Sequence, residues 1–572
     1  MRRGYGRVVW SGLLALIMVP GLMPAGAWAQ EGTVVLEKMP ADLALAAVLV
    51  NVEQLDKSVE QIQKRLAPDE PYESAAAGLK AFVPIVGEWM DLSKPLGIGL
   101  PEIPPKGVLP VMWVAVADFA AKVKDVPGAT ETEGVWQFKL SDTQSLFAKA
   151  DGAYVVIAET AETLTKVTTA KESMAEALRG RPEMLHNRDV FVHVNMRGLR
   201  PLVLQQLSQM GPMLSMIAMM SAQSGGDPMM MSNLLGALLE TVQKFIEQVA
   251  YVEAAVKLDT RMITLSIAGG FDEGPVKAYL GKQKPAEMPF FADLEEQPFF
   301  MAAASHLPGT ESPLIDYVAE LMTRKLASMP PATPAPEGGE APGGSMKDAV
   351  AVMADVYRRI EGGNMVMAFT SGAMVGAGDY VTADPKALTA AIKQTLSTAN
   401  PLMKQLKQGL TFEATEARKV GEVEVEVFNL KVDTSNPAGA MQAQMLGANP
   451  CYALGVVGNR VRYYQGDAAG AEKAFATPVS KPLRSATQVK EALEGLPPKG
   501  NAVVLVDPVG IMPMLGPLMM MGQMPDLSSL PPGPPIAASM SLAGDPAVLT
   551  VQVPVATLER LTKAFAGQPE PQ

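Results

Sequence analysis

In 572 residues there is one cysteine, Cys451, and there are three histidines, His186, His193 and His306. A lone cysteine excludes an intramolecular disulfide, so packing has to hold the fold. Cys451 follows Pro450 at the head of an apolar run, residues 452–457, and there a buried, inert thiol is the expectation. So few histidines leave little for metal or acid–base chemistry. H-E-x-x-H is absent, and no Cys/His cluster has the spacing that zinc requires. His193 falls within an apolar strand pattern, on the same face as Phe191 and Asn195, and reads as a structural histidine. His186 and His306 fall at strand boundaries.

Basic residues are in deficit. Lys and Arg number 48 against 60 Asp and Glu, a net charge of −12, which argues against nucleic acid and anionic lipid headgroups as general partners. Motifs that cradle phosphate or activate a nucleophile are missing as well: no Walker A, no G-x-S-x-G, no S-x-x-K. Gly376-Ala377-Gly378 lacks the third glycine of a dinucleotide-binding loop. The densest carboxylates, Glu422, Glu424 and Glu426, alternate with Val423, Val425 and Val427. That period of two makes one sheet face core and the other solvated. Carboxylates gathered only by the fold, as glycosidases do it, are not visible to this reading.

What the chain does have begins at its N-terminus. Arg2, Arg3 and Arg7 precede a mostly apolar stretch, residues 8–23, and Ala27-Trp28-Ala29 has the small-residue pattern of a cleavage site. Residues 1–29 therefore read as an export signal, and the apolar core is too short and too broken by Gly12, Pro20 and Gly21 to span a membrane. The expected product is periplasmic or secreted, without a transmembrane anchor and without a cofactor. Roughly 540 remaining residues exceed one hydrophobic core, so two or more domains are expected.

The stretch 188–280 returns, shortened, at 499–565. Each begins with an apolar strand (190–194; 502–506), continues through a methionine-crowded helical segment and closes with a β-hairpin (252–258 with 262–268; 538–542 with 547–553) and a short helix. A second echo links 145–178 to 452–476: strand, tight turn at Asp151-Gly152 or Gly458-Asn459, aromatic-bearing strand, helix. These patterns predict an α+β fold of two tandem duplicated halves, 30–290 and 291–572, each a mostly antiparallel sheet with helices packed on one face. The first half carries a Met-rich helical hairpin, and the second carries a shorter Met-rich segment. A Pro-, Gly-, Ala- and Glu-rich loop at 330–344 buries too little to order itself.

Met39-Pro40 ahead of the apolar run 43–50 and a helix, with Gly152-Ala153-Tyr154-Val155-Val156-Ile157 ahead of another helix, resembles a family of exported bacterial proteins catalogued only as a domain of unknown function. The resemblance covers short hydrophobic patches and implies no activity and no catalytic residues.

The anomaly is methionine, 37 residues in all. Eight lie within 208–232 (Met210, Met213, Met216, Met219, Met220, Met229, Met230, Met231) and six within 511–524 (Met512, Met514, Met519, Met520, Met521, Met524). Three readings compete. Methionine is a helix former and an adaptable core filler. It also makes adaptable apolar surfaces, and residues 212–220 are apolar nearly all round, more than one buried face requires. Thioethers bind Cu(I), although Met210, Met213 and Met216 drift about 60° per step around a helix and converge poorly. The sequence-level function is an exported, non-enzymatic protein that binds a hydrophobic ligand or an envelope protein through Met213, Met216, Met219, Met220, Met230, Met512, Met519 and Met520. The alternatives are a structural envelope-associated protein without a ligand, and a hydrolase whose carboxylates converge only in the fold.

Overall fold

A computed structural model describes residues 31–83, 85–102, 110–140, 144–179, 188–211, 213, 216, 219, 228–287, 291–306, 315–316, 319–320, 346–370, 373–405, 410–435, 437–476, 478–510, 533–542, 544 and 546–566. The expected export signal and the loop 330–344 lie outside them. The fold is α+β with antiparallel sheets. The chain divides into two compact units: residues 1–200, 249–270 and 548–569 form the first, and 201–248, 271–547 and 570–572 the second.

The first ten strands are β1 (Leu45–Leu49), β2 (Leu96–Leu100), β3 (Val111–Ala115), β4 (Thr130–Thr132), β5 (Val135–Lys139), β6 (Ser145–Asp151), β7 (Tyr154–Ala158), β8 (Val190–Asn195), β9 (Val249–Leu258) and β10 (Met262–Phe271). In the first unit the antiparallel ladder runs β4-β5-β6-β7-β3-β2-β1-β8-β9, and β10 pairs with β9. The β6–β7 turn falls at Gly152, whose φ of 67° a residue with a Cβ adopts only under strain. Strand alternation sends Trp113, Tyr154 and Val156 into one core, with Leu164 and Val167 of the helix Ala161–Thr168. The same strands send Met112, Val114, Val155 and Ile157 into another. Helices therefore lie on both faces of this sheet, not on one only. The helix Val52–Leu66 shows why its sequence folds as it does. Asn51 caps it by accepting from the Gln54 amide (2.9 Å), and Leu55, Val59 and Ile62 recur at helical spacing to meet Val190, Val256 and Leu258.

The remaining strands are β11 (Ala286–Glu287), β12 (Met301–His306), β13 (Gly362–Thr370), β14 (Ala373–Val381), β15 (Leu410–Ala414), β16 (Arg418–Val420), β17 (Val423–Val432), β18 (Cys451–Val457), β19 (Arg460–Gly466), β20 (Lys499–Gly500), β21 (Ala502–Val506), β22 (Ile536–Ser541) and β23 (Ala547–Pro554). In the second unit the antiparallel ladder runs β22-β21-β12-β13-β14-β19-β18-β17, with β15 and β16 both on the far side of β17; β11 and β20 make a separate pair. β23 pairs with β10.

Read outward from β9 and from β22, the two ladders visit their strands in the same chain order. β1, β2, β3, β5, β6, β7, β8 and β9 hold the places that β12, β13, β14, β17, β18, β19, β21 and β22 hold in the second unit.

Some local expectations change. Gly376 and Gly378 lie inside β14, not in a loop that could cradle phosphate. A Cβ on Gly378 would fall 2.1 Å from the Asn364 carbonyl oxygen, so this glycine serves the close approach of β13. The carboxylate face of β17 is only partly solvated. Glu424 is exposed, but Glu426 meets Lys393 Nζ at 2.7 Å from the helix Pro385–Gln405, and Phe428 on the same face is buried with Leu388 and Ile392. The helical pattern over 161–178 breaks into Ala161–Thr168 and Met174–Ala177, the second started by a Ser173–Glu176 capping box.

Candidate functional site

β8 runs directly into the helix Met196–Gln209. Asn195 Oδ1 accepts from the Arg197 amide (3.2 Å), and Arg200 Nη2 donates to the Val249 carbonyl (2.8 Å), which ties the helix start to the start of β9. Beyond that anchor the helix buries none of its residues. Leu202 is exposed, and Val203, Leu204 and Leu207 are only half-buried. Met210 is exposed in turn, and Met213, Met216 and Met219, each in helical backbone, are 46%, 53% and 61% exposed.

The helix Pro228–Ile246 opens on a proline whose missing amide costs nothing at that position. It exposes Leu238, Val242 and Phe245, spaced four and three apart on one face. Phe245 meets the edge of Phe271 at 5.4 Å between ring centroids, so that end is anchored while its face stays open. Burying one such side chain is worth about 1.5–3 kcal/mol, and this segment forgoes that gain at several neighbouring positions. Exposed apolar residues that recur along a segment in this way are what an interaction surface is built from.

Of the eight methionines singled out by sequence, the fold presents Met213, Met216 and Met219 to solvent. Met220, Met512, Met519 and Met520 lie outside the described residues, and so does the side chain of Met230. Among the described residues no three His, Cys, Asp or Glu side chains gather as metal ligands would.

The structure also brings polar groups that pattern reading passed over, Glu253, Asp189, Arg188 and Asp379, together with residues that it had marked as structural. His193 and Glu253 are direct cross-strand partners of β8 and β9. His193 Nδ1 lies 3.2 Å from Glu253 Oε1, the carboxylate is fully buried, and the imidazole stacks on Tyr251 at 5.8 Å. Asp189, at the head of the same strand, is buried; its Oδ2 accepts from the Leu258 amide at 3.1 Å, and burial pushes its carboxyl from 3.8 up to about 9. Arg188 next to it donates to Ser266 Oγ at 3.1 Å, and burial lowers its guanidinium.

In the second unit Arg462 Nε holds buried Asp379 Oδ1 at 2.9 Å across β14 and β19. Tyr380, Tyr452 and Tyr463 stack beside that pair, and burial raises all three phenols. Burial also raises the Cys451 thiol, which suits an inert packing role. The carboxylates of Asp189, Glu253 and Asp379 are buried between strands, where their polar contacts help to fix register. The available signal was a charged residue inside an apolar run, such as Glu253 within Val252–Val256 or Asp379 beside Tyr380.

The fold and this site define an α+β chain whose distinguishing surface is a thioether-bearing apolar helical segment. Neither a family model nor a curated protein matches the chain. Among solved structures, three crystal forms of TP0453, a Treponema protein, show a distant likeness at a TM-score of 0.21. Forms I, IV and III are 9%, 8% and 7% identical, cover 42%, 41% and 42% of this chain, and are themselves covered over 79%, 79% and 80% of their length. At that score the likeness defines neither the fold nor the function of this chain. No helix among the described residues is long and apolar enough to cross a membrane.

Proposed function

We propose that this is an exported, non-enzymatic protein that binds a hydrophobic ligand or protein partner through its methionine-bearing helices. The observation that carries this reading is the exposure of Met213, Met216 and Met219 at 46–61%, with Leu202, Leu238 and Phe245 left open on the flanking segments of the chain as well. Unbranched thioethers adapt to surfaces of varied shape, which suits a site that accepts more than one apolar contour. The test is binding of Nile red, an apolar probe, to the chain and to the triple variant Met213→Gln, Met216→Gln, Met219→Gln. The probe affinity is expected to fall about tenfold or more in the variant, since three lost apolar contacts of roughly 0.5 kcal/mol each already exceed 1.4 kcal/mol. Equal binding by both proteins refutes the reading.

The same proposal includes internal duplication. Its support is the shared chain order of the two ladders, together with methionine-rich sequence following β8 and following β21.

A further inference from the structure

Among the described methionines, exposure spans the full range from buried to open. Met39, Met90, Met112 and Met174 are buried at 0–6% exposure, whereas Met210, Met213, Met216 and Met219 range from 38% to 61% and recur every third residue. A thioether reacts with a two-electron oxidant only when the oxidant reaches the sulfur, so exposure decides which methionines oxidise first. We propose that Met210, Met213, Met216 and Met219 form an oxidation site for hypohalous acids, at which conversion to methionine sulfoxide turns the apolar surface polar.

With hypochlorous acid the net step transfers one oxygen atom to sulfur. The O–Cl bond breaks and an S–O bond forms; sulfur loses two electrons, chlorine leaves as chloride, and the acid's proton passes to water. No residue of the protein has to act as a catalyst. The sulfoxide is a strong hydrogen-bond acceptor, so each conversion replaces an apolar contact with a hydrated one. Four such changes, spread around about half of that helical segment, make its exposed surface polar without touching either core. Sulfoxide reductases reverse the change, which would make it a switch and not simply damage. The loss of apolar binding rests on the reading under Proposed function; the order of oxidation does not.

Met353 is an internal control. It is 47% exposed on a different helix, Met346–Arg359, away in sequence from the proposed site. It should oxidise at a comparable rate without affecting probe binding.

The experiment treats the full chain with graded hypochlorite below one equivalent per methionine, maps sulfoxides by peptide mass spectrometry and measures Nile red binding on the same samples. Met210, Met213, Met216 and Met219 are expected to convert more than about tenfold faster than Met39, Met90, Met112 and Met174, which react only through opening of the fold. Probe affinity should fall in step with those four and return on treatment with methionine sulfoxide reductase. Uniform conversion of all eight overturns the proposal. So does selective conversion that leaves probe binding unchanged while the triple glutamine variant lowers it. If untreated chain and triple variant bind the probe equally, the binding reading fails by itself, and the order of conversion still decides whether the oxidation site exists.

Discussion

Replacing Asp189 with asparagine should stabilise the first unit, and by an amount that grows with pH. The carboxyl is 1% exposed at the head of β8, where its own backbone is held on two sides: its amide donates to Val256 and its carbonyl accepts from Val50. Burial raises it from an ordinary 3.8 to about 9, and the Leu258 amide, Lys257 and Arg188 offset only part of that rise. Because the folded value lies above the unfolded one, the folded state binds the proton more tightly through that window. Stability is full below about pH 4 and is lost as pH climbs towards 9. At about 1.4 kcal/mol per unit, the loss reaches roughly 4 kcal/mol at pH 7 and roughly 7 at pH 9 as an upper limit. Asparagine keeps an oxygen for the Leu258 amide but cannot ionise. A buried amide has its own desolvation cost, so the net gain expected is about 1–3 kcal/mol at pH 7. Urea denaturation followed by tryptophan fluorescence reads this unit directly, because Trp89, Trp113 and Trp136 all belong to it and a chain begun at Gln30 has no other tryptophan. Asp189→Asn should be the less stable protein at pH 4 by its amide cost, the two curves should cross between about pH 4.5 and 6, and the variant's lead should then grow to pH 9. A constant separation, or a variant less stable than its parent at pH 8, refutes the reasoning.

In the second unit, Arg462→Met should cost about 3–5 kcal/mol in thermal unfolding, because it strands the buried Asp379 carboxylate; adding Asp379→Asn should recover most of that. Gly378→Ala should lower the melting temperature sharply, by about 1–3 kcal/mol or more in stability, as its Cβ meets backbone at 2.1 Å, whereas Gly376→Ala, with nothing nearer than Gln465 Cβ at 3.8 Å, should be tolerated. Met216→Ala, at a position 53% exposed, should change stability by less than about 1 kcal/mol, while Met39→Ala, at a fully buried one, should cost about 2–5 kcal/mol. A large cost at Met216 would return the methionine segment to the core.

Much of the strand content was legible because the local rules agreed there. The run 154–158 is apolar at every position and flanked by Gly152, which demands a turn, and 423–427 alternates valine with glutamate. Two adjacent elements were hidden for a physical reason. β14 carries Gly376, Gly378 and Asp379, all disfavoured in strands, yet each is required there: Gly378 by the approach of Asn364, and Asp379 by its cross-strand arginine. The helix Pro385–Gln405 follows it with mixed alanine, threonine and lysine, and its buried face, Leu388 and Ile392, exists only because β17–β19 present Phe428, Leu454 and Val461 to it. A face of that kind is defined by its partner and not by its own period.

The methionine segment shows the same limit from the opposite side. Composition marks 212–220 as apolar, and apolar sequence is ambiguous between a core and a binding surface, since both avoid charge. What separates them is whether another element arrives to cover the helix, a long-range fact absent from local sequence. Leu55, Val59 and Ile62 on the helix Val52–Leu66 are covered by β8 and β9, whereas Leu202, Met213, Met216 and Met219 are not. The two helices therefore carry the same kind of side chain with opposite consequences. One spends its apolar face on stability, and the other leaves that free energy available to whatever binds it.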